Sequence, residues 1–253
     1  MATAHRLPPA HQPQLYRFSR LDLAALCLYV AIAGFFAVAG DVLAPLLRQV
    51  APSPAAASYA VNLLFYASVG ILAFLAARKV VVRDLKVLAT RPWFTLLMVP
   101  AAVIAMMILT AVVVAANGQV ETSVNQAGLQ ALMQQVPAWL MVPLLVVVGP
   151  FVEEYIFRHL LIGKLSRRVN VWICCALSVA LFAALHIVGQ EALTLTALLP
   201  YLAMGATLVF VYMWTGKNVM FSYFVHAAKN LLAVILVYAI PPELFDQMQN
   251  VQA

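Results

Sequence analysis

Charge is what this 253-residue chain has least of. Only 9% of its residues are Asp, Glu, Lys or Arg, against about 25% in a soluble domain, while 65% are hydrophobic and the mean hydropathy is +0.95. That excludes a water-soluble globule. The fold class expected is all-α, a polytopic transmembrane helical bundle. Cysteine is scarce too: Cys27, Cys174 and Cys175 lie inside apolar runs, which excludes a disulfide framework and a Cys-x-x-Cys metal knuckle. No internal repeat or low-complexity tract is present. The stretch Met1–Arg20 is polar and lacks the pattern of a cleaved signal peptide, so the first apolar run is expected to stay as an anchor.

What the chain does have is seven apolar runs of spanning length, about 20 residues each for a core of about 30 Å. They fall near Leu23–Leu46, Tyr59–Ala77, Phe94–Ala116, Leu140–Leu165, Val171–His186, Leu195–Trp214 and Val219–Ile240, with eight spans as the alternative count. The net charge of +6 and pI near 9.4 do not imply a nucleic-acid partner, because the basic residues gather at the ends of these runs. Twelve of the 15 Lys and Arg fall on one side of the alternation and Arg48 alone on the other, Arg158 and Lys229 being inside spans. This implies a cytoplasmic N-terminus, and the alanine-rich, tail-poor chain suggests a bacterial inner membrane.

The division that follows is a cytoplasmic tail over 1–20, N-terminal helices and an outer loop over 21–136, a core over 137–240 and a tail over 241–253. Leu129, Leu132 and Met133 recur at helical spacing between the third and fourth spans, predicting a short helix lying at the interface.

The chemistry is concentrated in Glu153-Glu154-Tyr155-Ile156-Phe157-Arg158, inside the fourth span. Ionisable groups at membrane depth are costly and normally face a protein interior or a wet cavity. Glu154 and Arg158, four apart, share a helix face and can pair, which by itself could be a buried structural lock. Glu153 points about 100° away and is free for other work. Span five ends in Phe182-Ala183-Ala184-Leu185-His186, and span seven carries His226-Ala227-Ala228-Lys229-Asn230. A carboxylate, two imidazoles and an amide from three helices can perform hydrolysis: a glutamate takes a proton from water, one imidazole orients that water, and the other imidazole with the amide stabilises an oxyanion. Glu153, His186 and His226 could instead hold zinc.

Blander readings apply elsewhere. His159 is expected at the interface, His5 and His11 in a polar tail without a role, Asp41 in a helix-end or bundle contact, and Lys229 either snorkelling or paired with a carboxylate.

Glu-Glu-x-x-x-Arg, Phe-x-x-x-His and His-x-x-x-Asn, in this order on successive spans, resemble the three marks of the CPBP family. That is the CAAX-protease and bacteriocin-processing (Abi) group of intramembrane proteases, to which the Rce1-type endopeptidases belong. The resemblance covers about Pro137 to Tyr238. It implies Glu153 as general base acting on water with His186, His226 and Asn230 as the oxyanion site, and Glu154 and Arg158 as site-organising partners. The glutamate-type mechanism, with no required cofactor, is preferred over a zinc-dependent one. Other intramembrane protease classes fit poorly, since Gly-x-Ser-x, His-Glu-x-x-His and a Tyr-Asp/Gly-x-Gly-Asp pair are all missing.

The function expected is therefore an intramembrane endopeptidase acting on a peptide or membrane-protein substrate in the lipid bilayer, with homo-oligomerisation left open. The alternatives are an ion- or proton-coupled transporter using Glu153, Glu154 and Lys229, or a non-catalytic immunity or scaffold protein. One difficulty stands: helix-rise arithmetic puts His186 far deeper than His226 relative to the cytoplasmic ends of their spans. Their meeting at Glu153 requires a tilted or displaced span five, or a dip of Gly189-Gln190 into a cavity.

Overall fold

The structure, a computed structural model, describes residues 13–117, 124–188 and 194–239. Among these there is no strand. After a 3₁₀ turn at Pro13–Tyr16 come α1 (Arg20–Val50), α2 (Pro54–Ala89), α3 (Pro92–Asn117), α4 (Val124–Gln135), α5 (Ala138–Arg167), α6 (Val171–His186), α7 (Leu195–Trp214) and α8 (Val219–Ala239). All seven expected spans are helices, and α2, α3, α5, α7 and α8 are long and apolar enough to cross a membrane. Their outward faces carry bare side chains such as Leu64, Ile71, Leu97, Ile104 and Phe210, as lipid contact requires. All four tryptophans sit at helix ends: Trp93, Trp139 and Trp172 at starts and Trp214 at an end, each more than half exposed. That is where an amphipathic ring meets the headgroup layer.

α2 runs twelve residues beyond the expected end at Ala77, carrying Arg78, Lys79, Arg83 and Lys86 as its final turns rather than as a loop. Its extension is held by Arg83, which donates to the Tyr16 hydroxyl at 2.9 Å and lies 5.3 Å over that ring. Lys164, expected among the solvated boundary charges, is instead buried. Its ammonium meets Asp22 at 2.5 Å, and Asp22 also accepts from Tyr155 at 2.6 Å and from Ser19. This pins the start of α1 to α5. α4 is the short helix expected here, and it packs on the bundle through Leu132 and Met133, buried against Ala55, Met141, Val146 and Val234.

α5 holds the centre and is not a regular α-helix. It has π-helical stretches at Pro143–Val148 and Tyr155–Lys164, on either side of an α-helical Gly149–Glu154. Prolines explain the first. Pro143 and Pro150 have no N–H to donate and their rings crowd the carbonyl four residues back, so the chain widens its turn and continues. Gly149 then bonds Leu144 in the i to i−5 register, and the same register would have Pro150 donate to Leu145. In that register the Leu145 carbonyl has no backbone donor, because proline carries no N–H.

The depth difficulty is resolved by where α8 begins. Glu153 and His186 are both about 20 Å from the α5–α6 connection at 1.5 Å per residue. α8 does not start at that level: Asp84, five residues from the end of α2, accepts from the Val219 N–H at 2.7 Å, while Asn218 caps the helix through the Phe221 N–H at 2.9 Å. An anion and a capping amide both suit a helix N-terminus. The chain reaches this inset position through Gly216 and Lys217, both left-handed at φ 72° and 65°, with Lys217 N–H bonding back to Tyr212 at 2.8 Å in a Schellman-type stop. α8 thus begins about 8 Å inside the bundle, which lifts His226 to the level of Glu153 without a displaced span five. Gly189-Gln190 and the acids Glu121, Glu191, Glu243 and Asp246 lie outside the described residues, as do His5, His11 and the side chain of Asp41.

Candidate active site

Glu153 and Glu154 are adjacent in sequence and opposite in company. Glu154 is fully buried and saturated: Oε1 meets Arg158 at 3.3 Å and His226 Nδ1 at 3.0 Å, and Oε2 accepts from the Ser222 hydroxyl. A carboxylate with a guanidinium and two hydrogen-bond donors is in its ionised form's best environment. The expected Glu154/Arg158 pair is present, but it is more than a lock, because the same carboxylate fixes an imidazole.

Glu153 is left nearly bare. Oε1 accepts from the Tyr66 hydroxyl at 3.1 Å, and buried Oε2 has no hydrogen-bond partner among the described residues. Facing Oε2 are His186 Nε2 at 3.8 Å and His226 Nε2 at 3.7 Å. The structure therefore brings Glu153, His186 and His226 together.

The far nitrogen of each imidazole sets what the near one offers. His186 Nδ1 is 2.7 Å from the Phe182 carbonyl, which can only accept, so in the neutral ring the proton is on Nδ1 and a lone pair is on Nε2. His226 Nδ1 against the Glu154 carboxylate has the same consequence. Two imidazole lone pairs thus face one carboxylate oxygen, an arrangement that suits a shared proton or a water between them.

Phe182 explains the aromatic position of its motif. Its ring packs on His186 at 4.3 Å, on Phe157 at 5.5 Å and edge-on to His226 at 6.0 Å, with the Arg158 guanidinium 4.7 Å over it. One ring thereby walls the imidazoles from the buried cation. Behind it Gly205 lets α7 approach: a Cβ there would lie 3.3 Å from the Phe182 ring, and the Gly205 carbonyl accepts from Arg158 at 3.4 Å.

Asn230 stands apart from the three. It donates to the Leu145 carbonyl at 2.9 Å, the acceptor that Pro150 left free. One of its two amide hydrogens is thus committed to α5.

Glu153, His186, His226 and Asn230 all line one cavity of about 710 Å³, whose other walls include Tyr29, Phe65, Gln130, Met133 and Val234. Lys229 lines it as well. Lys229 has no acid within 4.0 Å among the described residues, but the charge of Glu153 acts on it at longer range.

His159 is not interfacial. It is buried, its ring 5.9 Å from those of Tyr16 and Tyr155, with neither nitrogen hydrogen-bonded among the described residues. The 3₁₀ turn before α1 lays Tyr16 across it, which no periodicity in α5 foretells. Sequence reasoning also missed Tyr66 and Ser222. Tyr66 is one aromatic in an apolar run, without local signal. Ser222 lies one turn before His226, a placement that could have been noticed.

Residues 135–232 match the family described as "Type II CAAX prenyl endopeptidase Rce1-like". Over those residues, under half of the chain, the protein is similar to the Rce1-like family. The chain is also 33% identical over 114 residues to a Bacillus subtilis (strain 168) protein named "Putative membrane peptidase YdiL". That similarity takes in 45% of this chain and 43% of the relative, so the chain spans less than half the relative's length in the match. No solved structure matches. The Rce1-like segment runs from the end of α4 into α8 and contains every residue of the Glu153 cluster except Tyr66.

Proposed function

We propose that this membrane-embedded protein is an endopeptidase that hydrolyses a peptide bond in the cavity beside Glu153. The observation that carries this reading is the convergence of unpartnered Glu153 Oε2 with two imidazole lone pairs at a cavity wall. A water there can donate one hydrogen to the carboxylate and one to an imidazole Nε2, which leaves its oxygen lone pair aimed into the cavity.

As that oxygen bonds the carbonyl carbon, its proton passes to Glu153. The tetrahedral oxyanion collapses, the C–N bond breaks, and Glu153 returns the proton to the leaving amine. Tyr66 holds the other oxygen of Glu153 throughout. Glu154 holds His226 in its tautomer, as the orienting carboxylate of a triad does. Asn230 steadies α5 with one N–H and has a second for the carbonyl oxygen.

A zinc-dependent version rests on the donor types alone, since among the described residues no group of three His, Cys, Asp or Glu is placed to hold a metal ion. Glu153, His186 and His226 would be the residues to hold it, and the metal would polarise the attacked carbonyl or the water.

The deciding experiment is cleavage of a peptide library by the purified full chain in detergent, alongside Glu153→Ala and His226→Ala, each with and without a zinc chelator. Glutamate chemistry predicts cutting by wild type alone and indifference to chelator. Loss with chelator and return with zinc assigns the three residues to the metal. Cutting by Glu153→Ala at the wild-type rate sinks the proposal.

A further inference from the structure

A second cavity, of about 530 Å³, lies at the end of the bundle away from α4, walled by Tyr16, Gly163, Ser166, Arg167 and Lys217. It sits between the close of α5 and the turn that leads into α8. Contacts of Arg83 with Tyr16, Lys164 with Asp22 and Asn218 with Asp84 gather the start of α1 and the end of α2 at this same end. It is the end where the basic boundary residues collect. Trp172 and Trp214, both more than half exposed at the adjoining helix ends, mark it as the headgroup level.

Two cations and a hydroxyl line this cavity, and no carboxylate does. Lys217 Nζ donates to Ser166 Oγ at 2.9 Å, which fixes the ammonium and leaves it two more hydrogens. Because the serine oxygen accepts there, its own O–H stays a donor. Arg167 adds a planar fork of the kind that matches phosphate oxygens. Lys217 is also the one non-glycine residue at positive φ among the described residues. Glycine takes that conformation at less cost, and strain of this sort collects at ligand sites.

We propose that this cavity binds a phosphate group, and that its place in the bundle favours the phosphate of an anionic phospholipid. Basic pockets between helices at the positively charged end of a membrane protein suit such headgroups. A choline headgroup would bring its own ammonium against Arg167 and Lys217, so a net-anionic lipid is preferred over a zwitterionic one. The bound phosphate bridges Arg167, at the end of α5, to Lys217, just ahead of α8. It thereby joins the helix of Glu153 to that of His226 at the end that sets the level of His226. The site stands whether or not the chain cuts peptides.

The test uses the full chain in detergent and three probes: short-chain phosphatidylglycerol, short-chain phosphatidylcholine and inorganic phosphate. Lipid binding is read by native mass spectrometry and every probe by the unfolding temperature. Phosphatidylglycerol should bind roughly tenfold or more tighter than phosphatidylcholine and raise the unfolding temperature, as a ligand of the folded state does. Lys217→Gly removes one cation and keeps the left-handed turn, and Arg167→Gln removes the other. Each should weaken phosphatidylglycerol binding roughly tenfold, the scale of a hydrogen bond to a charged group. Arg91→Gln, at the same end but outside the cavity, should change it less than about twofold, since exposed charges at a distance are screened.

Millimolar phosphate that displaces the lipid, and stabilises wild type but not Lys217→Gly, identifies the source as soluble phosphate; lipid binding that withstands it identifies the lipid. Equal binding of both lipids with no response to phosphate overturns the proposal. So does a preference that survives Lys217→Gly combined with Arg167→Gln, or an equal loss in Arg91→Gln, which is attraction to basic charge in general.

Discussion

The side-chain amide of Asn230 donates to the carbonyl of Leu145 at 2.9 Å, and this bond ties the last of the three sequence marks to a defect in the helix bearing the first. Pro150 cannot supply the donor that the π register of Pro143–Val148 requires, and α8 supplies it from outside. The helix that presents Glu153 is thus fixed eight residues ahead of it, at Leu145, by a residue 85 positions away in sequence.

This pairing is testable by compensation. Asn230→Leu strips the Leu145 carbonyl of its donor and should lower stability by about 1–2 kcal/mol. Pro150→Ala restores a backbone N–H to α5, so the double variant should regain much of the loss. Thermal unfolding in detergent reads it, and simple addition of the two losses would show that the bond is incidental.

Tyr66→Phe removes the 3.1 Å bond to Glu153 and keeps the ring against Phe65. We expect kcat/KM to fall roughly tenfold, about 1.4 kcal/mol, with the unfolding temperature unchanged. An unaltered rate would separate Tyr66 from the chemistry.

Glu154→Gln keeps the shape of the cluster but removes the anion that holds His226 Nδ1–H and faces Arg158. The expected result is a kcat lower by about 10²-fold or more with KM little changed, as when a triad's orienting carboxylate is made neutral. A change confined to KM would count against an orienting role.

Lys164 and Asp22 form a buried pair. Breaking it from one side with Lys164→Met should cost about 3–5 kcal/mol, because an uncompensated charge is left inside. Lys164→Met with Asp22→Leu should recover most of that cost. A double variant no better than the single would place the value of Asp22 in its bond to Tyr155.

Gly163→Ala places a Cβ 2.8 Å from the Tyr212 hydroxyl, in a spot where that ring is fully buried. Overpacking of this kind costs about 1–3 kcal/mol, visible as a lower unfolding temperature. An unchanged temperature would mean that the Tyr16 side of the pocket yields.

The sequence by itself determined the spans and the cluster members. Long apolar runs admit little but helices in a bilayer, because every backbone polar group must be satisfied within the segment. Charges set into such runs are too costly to be incidental, which made Glu153, Glu154, Arg158 and the two histidines legible before any coordinate. The i, i+4 rule likewise gave Glu154 to Arg158, since that contact is local to one helix.

Tertiary structure decided what local rules do not reach. The level of His226 depends on Asp84 drawing the start of α8 inward, a contact 135 residues long in sequence. Tyr66 joins Glu153 across 87 residues from a run with no signal of its own. His159 and Lys164 read as boundary groups because their neighbours in α5 do, and are buried because Tyr16 and Asp22 arrive from the start of the chain. Periodicity fixes which face of a helix a side chain leaves from; which partner meets it there is settled only when the helices pack.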